Sequence, residues 1–486
     1  VRLPVPPTLS EPLPMPRTKV VCTLGPASDS PEVIRKLVNA GLSMARINMS
    51  HGDQESHRKV IERVRAAALE AGRAVPILID LAGPKIRVGT LDEPIELVAG
   101  ERIHLAPESV ATGNEIPTGY EHLAGDVSAG DPIMLDDGLM ELRVVGTDGV
   151  RVEAEVIKGG LLNSRKGINI PGAEVQTPSL TEKDEEDLEF ALEMGAEYIS
   201  LSFVRRPSDV RGLKEKVNGR ALIVSKIEKA QALESIEEIL QETDAVMVAR
   251  GDLGVELPFE RVPMAQKRII QLSNYYARPV ITATQMLESM VDSPRPTRAE
   301  VSDVANALLD GTDAVMLSGE TAVGDYPVQA LEAMIRIAVE IEGSGVLADG
   351  PSYDANIRSR ARGGASQREH AVAAASVKAA QQLSAPAQIV ITRSGFSARL
   401  ISSYRPAVPI FAICTDPVTV CQLSAVWGVQ PVLASEQEVS YQALTEFGKR
   451  AVLERGVGRA GESVVVTAGY PFHTSGSTNT MRVEQL

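Results

Sequence analysis

From Thr18 onward the chain repeats one pattern, a short β-rich apolar run followed by a helical stretch. Such alternation predicts parallel βα units. Eight runs are present: TKVVCTL (18–24), SMARINM (43–49), PILIDL (76–81), EYISLSF (197–203), ALIVSKI (221–227), DAVMVAR (244–250), PVITATQ (279–285) and DAVMLSG (313–319). Eight parallel strands with intervening helices are the count of a (β/α)8 barrel. The intervening stretches carry ordinary helix signals. In TEKDEEDLEFALEMG, Thr181 can cap, acids fill the first turn and Gly195 can end the helix.

The pattern changes twice. Between the third and fourth runs, residues 88–173 show alternating short strands separated by turns such as AGE, DDG and TDG. They predict a small inserted β domain that leaves the barrel at its C-terminal face, where barrel enzymes keep their sites, so a lid is expected. After about residue 345 the spacing resets, and QIVITRSG, PIFAIC, QPVLAS and SVVVTAG alternate with helical segments, as in an open α/β domain. Residues 355–368, NIRSRARGGASQRE, read as a flexible connection. Residues 1–17 hold six prolines and read as an extended N-terminal arm. The expected fold class is therefore α/β: a TIM barrel (18–87 and 174–345), an inserted small β-barrel lid (88–173) and a C-terminal open α/β domain (346–486).

Composition narrows the function. Across 486 residues, 49 Lys and Arg face 64 Asp and Glu, a net charge of −15. That field repels nucleic acid and anionic membrane, so neither is an expected partner, and an anionic substrate needs a local basic cluster. No run nears the roughly 20 apolar residues of a membrane span, and no basic-then-apolar leader opens the sequence, so a cytoplasmic location is expected. The three cysteines, Cys22, Cys414 and Cys421, lack metal-site spacing and read as core residues; with no HExxH among six histidines, a zinc site is not expected.

Polar residues at the carboxyl ends of barrel strands read as a site, because strand interiors are filled by packed side chains. Strand two ends in Arg46, Asn48, Ser50 and His51; strand three in Asp80, with Lys85 and Arg87 beyond it. Strand five ends in Lys226 and Glu228, strand six in Arg250, Gly251 and Asp252, strand seven in Thr282 and Thr284, strand eight in Ser318 and Glu320. Lys226 and Glu228 stand two apart, so in a regular strand they leave one face and share a pocket. Asp252 can converge with Glu228 on a divalent ion, and two carboxylates with open positions suit magnesium. Neither GxxxxGK[ST] nor GxGxxG occurs, which leaves phosphate binding to the side chains of Arg46, Arg87 and Lys226.

At these residues the sequence resembles the pyruvate kinase family over roughly 18–486. The resemblance rests on CTLGPAS (22–28), ARINMSHG (45–52), DLAGPKIR (80–87), KGINIPG (166–172), SKIEKA (225–230), VARGDLGVE (248–256), TATQMLESM (282–290) and MLSGETAVGDYP (316–327). It implies phosphoryl transfer from phosphoenolpyruvate to ADP, giving pyruvate and ATP, the last step of glycolysis, with Mg2+ or Mn2+ as cofactor. By that resemblance Lys226 is the catalytic lysine, and Glu228 and Asp252 are the metal ligands. Gly251 and Thr284 contact substrate, while Arg46, Asn48, His51, Arg87 and Lys166 lie near substrate or nucleotide phosphates. Thr284, Ser318 and Glu320 can form a water-linked relay that protonates the enolate, its donor left open. A homotetramer is implied as well.

The sequence departs from the family pattern in two places. Many members hold potassium with Asn, Ser, Asp and Thr, with a Glu nearby; Asn48, Ser50 and Asp80 match, but Leu81 stands at the Thr position and Lys85 at the Glu position. Members with this Lys resemble the potassium-independent branch, so Lys85 is expected to replace the monovalent cation, and potassium is not expected to be required. In the last domain ITRSGFS (391–397) matches the loop that holds an effector phosphate in the family, making Thr392, Arg393, Ser394, Gly395 and Ser397 candidates for allosteric control. The partner loop TSGSTNT (474–480) lacks a basic residue, which counts against a sugar bisphosphate and leaves a monophosphorylated sugar or a nucleotide equally open as that phosphorylated metabolite. Two other functions stay open too: an aldolase in which Lys226 forms a Schiff base, and a non-catalytic phosphosugar sensor built on residues 392–397.

Overall fold

The computed structural model describes residues 16–113, 115–173, 176–347, 366–434, 440–470 and 478–486. All eight apolar runs form strands: Lys19–Thr23, Met44–Asn48, Ile77–Asp80, Tyr198–Leu201, Leu222–Ile227, Ala245–Ala249, Val280–Ala283 and Ala314–Leu317. They pair in parallel, and the first strand closes the barrel by pairing with the eighth at Cys22 and Leu317. Each strand is buried on both faces, which explains the near-continuous apolar runs. Val21, Met44, Leu78, Val224, Met247 and Met316 fill the interior, whereas neighbours such as Val20, Ile47, Ile79 and Val246 pack outward under the helices.

The helices start and stop where local chemistry dictates. Thr181 accepts from the Asp184 amide and Asp184 reaches back to Thr181, so Glu182–Glu193 begins on a reciprocal cap. Just past its end, Gly195 takes a left-handed φ of 66°, which glycine adopts without steric cost.

The insertion is a curled, barrel-like six-stranded sheet with a two-stranded companion. Its crossings to the barrel are tied to each other: Val88 N donates to Lys166 O at 2.8 Å and Ile168 N to Ile86 O at 2.9 Å. Beyond the barrel, Gln388–Ile391, Ile410–Cys414, Val429–Leu433 and Ser463–Ala468 form a parallel sheet, as the sequence predicts. A fifth strand, Thr480–Gln485, runs antiparallel along its edge and has no counterpart in the sequence reading.

The C-terminal sheet domain seats against the foot of the barrel. Ala425 joins the barrel's interior cluster, and the Tyr198 hydroxyl donates to Gln422 O at 2.7 Å. Arg405, buried, pairs with Asp313 at 2.9 Å, reaches Asn274 and Gly311 O, and lies over the Trp427 ring.

Part of the expected connection is a correction. Residues 355–365 lie outside the described residues, but Ser366 is the cap of a sixteen-residue helix, Gln367–Gln382, closed by Glu369 in a reciprocal capping box. The Ser-x-x-Glu signal there is a helix start and not a linker. The cysteines are free and buried, as expected.

Candidate active site

At the mouth of the barrel the fifth strand carries Lys226 to the center of a charged cluster. Its ammonium lies 3.0 Å from Glu228 Oε1 and 3.4 Å from Asp80 Oδ1, and donates to Ser202 Oγ at 2.9 Å. The two-residue spacing of Lys226 and Glu228 thus brings both to one pocket, although the strand ends at Ile227. Asp80 is buried, and both its oxygens are engaged. Arg46 Nε donates to Oδ2 at 2.7 Å, Ser200 donates to Oδ1, and Arg46 Nη1 continues to Thr23 Oγ1 at 2.9 Å.

Burial alone disfavours every charge in this cluster, so the pairing decides the protonation states. For Lys226, burial pulls the pKa down, but Asp80 and Glu228 together outweigh it and hold the ammonium well above its ordinary value. Asp80 is also buried, yet Lys226 and Arg46 keep its carboxyl below the usual carboxylate range. Glu228 moves the other way: burial, with Asp252 nearby, raises it despite Lys226. A second cation near Glu228 and Asp252 would favour its ionised form.

The residues fit a divalent ion. Glu228 takes the Phe203 amide on Oε2 at 2.7 Å, while its buried Oε1 faces the Lys226 ammonium at 3.0 Å. Asp252 presents its carboxylate from the helix Arg250–Glu256. Among the described residues no group of three or more His, Cys, Asp or Glu could hold a metal by itself. Two carboxylates that leave other positions to oxygen donors from substrate or water match magnesium.

Strand seven departs from the sequence reading in an informative way. Thr282 does not face the mouth: its hydroxyl donates to Thr312 Oγ1 at 2.9 Å, where the chain enters strand eight. Thr284, two residues on, does not share that face because the strand ends at Ala283 and Thr284 takes φ 64°. A left-handed backbone is costly for a β-branched residue, about 1–3 kcal/mol. Arg250 holds the turn, donating to Thr284 O at 2.7 Å and Gln285 O at 3.0 Å while paired with Asp303 at 2.7 Å. The turned Thr284 hydroxyl receives the Gly251 amide at 2.8 Å. Arg250 is thus the brace of this turn and does not open onto the mouth.

Glu320 is fully buried and accepts the amides of Leu287 and Ser318 at 3.0 and 2.7 Å; burial raises its pKa. The Ser318 hydroxyl is buried without a hydrogen-bond partner. Asn48 Oδ1 accepts the Ser50 amide at 3.2 Å; Ser50 and His51 are exposed, and the His51 carbonyl meets the His57 ring.

From the lid side come Arg87, which donates to Arg165 O at 3.1 Å, and Lys166, which pairs with Asp136 at 2.9 Å. Lys85 stands between lid and barrel, 3.4 Å from Asp137 Oδ1 and 3.9 Å from Asp252 Oδ1. Leu81 is buried in the barrel's outer apolar layer. Asp136 and Asp137, both at positive φ, were missed: DDG reads as a turn, and only the fold shows that the turn reaches the mouth.

The comparisons decide what family this arrangement belongs to. Residues 15–331 match the barrel-domain model of pyruvate kinase, and residues 370–484 match its alpha/beta-domain model. The chain belongs to the pyruvate kinase family. A curated pyruvate kinase of Sporosarcina psychrophila is 43% identical over 480 residues, 97% of this chain and 81% of that one. One of Staphylococcus aureus (strain MRSA252) is 43% identical over 476 residues, covering 96% and 80%.

The loop that carries effector phosphate in the pyruvate kinase resemblance lies far along the chain, before the short helix Phe396–Ser402. Gly395 caps it at φ 76°, where a side chain would also collide with Arg399. Arg393 and Ser394 are exposed, Thr392 is buried, and Ser397 Oγ shares a 2.7 Å hydrogen bond with Thr478. Residues 474–477 of the partner loop lie outside the described residues.

Proposed function

We propose that this chain is a working pyruvate kinase, transferring the phosphoryl group of phosphoenolpyruvate to ADP and releasing pyruvate. The observation that carries this reading is Lys226, a buried ammonium kept protonated by Asp80 and Glu228 at the mouth of the barrel. Phosphoryl transfer through a loose transition state asks the protein for positioning and positive charge more than for covalent chemistry. Lys226 answers the negative charge on the transferring group and on the enolate. Arg46, oriented by Asp80 and Thr23, binds the substrate's phosphate, and the Gly251–Thr284 turn receives its carboxylate. Asn48, His51, Arg87 and Lys166 take the nucleotide. Glu228 and Asp252 would hold magnesium, which when bound would supply Lewis-acid neutralisation of developing negative charge. Thr284, Ser318 and Glu320 form the proton relay to the enolate.

The division into barrel (18–87, 174–345), lid (88–173) and C-terminal domain (346–486) belongs to the same reading. Lys85 takes the part of potassium at the position otherwise formed by Asn48, Ser50 and Asp80; its placement beside Asp137 and Asp252 brings a fixed charge to the site. Regulation by a phosphorylated metabolite at Thr392, Arg393, Ser394, Gly395 and Ser397, a homotetramer and a cytoplasmic location are further parts of the proposal. No helix of the described residues is long and apolar enough to cross a membrane. The raised pKa of Lys226 weighs against an aldolase, whose Schiff base needs the free amine.

A coupled assay with phosphoenolpyruvate and ADP, run with and without magnesium, tests the proposal. Magnesium-dependent pyruvate release supports it. Trapping of pyruvate on Lys226 by borohydride, without ATP formation, would replace it with the aldolase.

A further inference from the structure

The two carboxylates that would share a divalent ion stand on different segments. Glu228 directly follows the fifth barrel strand, and Asp252 rides on the helix Arg250–Glu256. Like charges repel, so the pair does not set its own separation. Glu228 is fixed from one side by the Phe203 amide at 2.7 Å. The Asp252 carboxylate has, among the described residues, only a long ion pair with Lys85 at 3.9 Å, so its place follows that of its helix.

One buried ion pair ties the two segments together. Lys229 comes directly after Glu228, and Glu256 lies four residues after Asp252, on the same face of the helix. The Lys229 ammonium donates to Glu256 Oε1 at 2.5 Å, with the lysine side chain 15% and the glutamate 1% exposed. Salt screens a pair this buried only weakly, and breaking it from one side is costly. The first turn of the helix is fixed separately, by Arg250 and the Gly251 amide on the Thr284 turn, so Glu256 supplies the second anchor. Lys229 also lies over the Phe203 ring, 5.7 Å from its centroid. Phe203 stands at φ 54°, a left-handed backbone that persists only where its surroundings hold it. The residue whose amide orients Glu228 thus takes support from the same ammonium that anchors the helix of Asp252.

We propose that Lys229 and Glu256 are a positioning pair that sets the gap between Glu228 and Asp252 and thereby their affinity for a divalent cation. Neither is itself a ligand. Lys229 acts through Glu228 and Phe203, and Glu256 acts through the helix of Asp252. The inference rests on the magnesium reading above and deepens it, since it names what holds the two ligands in register.

The test is Mn2+ binding to the full chain without substrates, read from the electron paramagnetic resonance signal of free Mn2+. Wild type should bind Mn2+, and Glu228→Gln should abolish the binding. Lys229→Met and Glu256→Gln should each weaken it by about 10–100-fold, the usual loss when a partner behind a metal ligand is removed. The double variant should lose about as much as either single, because the two residues act as one unit. A purely electrostatic role predicts opposite signs instead: removing the ammonium tightens Mn2+, removing the carboxylate loosens it, and the double variant changes little. That pattern, or unchanged affinity in both singles, would overturn the proposal. Arg405→Met, which strips a buried pair at the foot of the barrel, should leave Mn2+ affinity unchanged. A loss there as large as in Lys229→Met would trace the effect to general destabilisation and overturn the proposal too. Absent binding in wild type, or binding that survives Glu228→Gln, would sink the magnesium reading and this inference with it. Should Lys229→Met fail to fold, the double variant, which leaves neither charge behind, still decides.

Discussion

Replacing Asp80 with Asn keeps the shape of the side chain and removes the charge that organises the mouth. Asp80 has almost no solvent exposure, and it accepts from Arg46 and Ser200 while facing Lys226 at 3.4 Å. An Asn at this place offers one acceptor oxygen, and its NH2 group points at a cation whichever way the amide turns. Lys226 then keeps Glu228 as a carboxylate partner, while Arg46 loses the carboxylate it pairs with and keeps Thr23 Oγ1. Breaking a buried pair from one side typically costs about 3–5 kcal/mol, because the remaining charge stays desolvated. A loss near the upper end is expected, since two cations lose a carboxylate at once. Denaturant unfolding of the barrel transition, compared for wild type, Asp80→Asn, Arg46→Met and the double variant, measures it. The double variant should lose less than the sum, by about 1–3 kcal/mol, as expected for groups in one network. The pH dependence supplies a second reading. The folded pKa of Asp80 is depressed, so its contribution is fully present above the ordinary carboxylate value and fades as pH falls through the lower folded value. Asp80→Asn should therefore flatten the acid limb of the stability profile. A loss below about 1 kcal/mol with an additive cycle would refute the reasoning, since buried unpaired cations cannot be that cheap.

Three further outcomes follow from the same structure. With potassium exchanged for tetramethylammonium in sodium-free buffer, activity should stay within about tenfold, and Lys85→Glu should create potassium dependence by removing the built-in charge; a larger drop in wild type sinks the idea. Glu320 has a raised folded pKa, so its contribution is fully present below the ordinary value of about 4.3 and is lost as pH rises through the folded value. Stability profiles should show Glu320→Gln losing that decline, and an unchanged slope would count against it. Arg405→Met, which strips a buried partner from Asp313 between barrel and C-terminal domain, should cost about 3–5 kcal/mol by thermal or denaturant unfolding, and a surface-like loss below about 0.5 kcal/mol would contradict the burial seen here.

Much of the fold is legible in the sequence because the barrel strands are buried on both faces and so stand out as unbroken apolar runs. The edge strand Thr480–Gln485 is not legible for the opposite reason. TMRVEQ is half exposed, carries Arg482 and Glu484, and gains its conformation from pairing with Ser463–Ala468. Charged exposed edges are ordinary for sheets and look like loops in sequence. The candidate site divides similarly. Lys226 with Glu228 follows from alternation along a strand. Thr282 and Thr284 fail the same rule because the backbone flips between them, and that flip depends on Arg250 and Asp303, far apart in the chain. Asp136 and Asp137 reach the mouth only because the lid folds over it, a tertiary fact that a turn motif cannot encode.

The central claim is that the Lys226 ammonium, held by Asp80 and Glu228, stabilises charge in phosphoryl transfer. Methionine matches the length of the lysine stem and carries no charge. Steady-state turnover of folded Lys226→Met with phosphoenolpyruvate, ADP and magnesium, against wild type, tests the claim most directly. The account predicts a fall in kcat of at least about 10²–10³-fold, the size of losing one preorganised electrostatic contact. Turnover within a few-fold of wild type would contradict it.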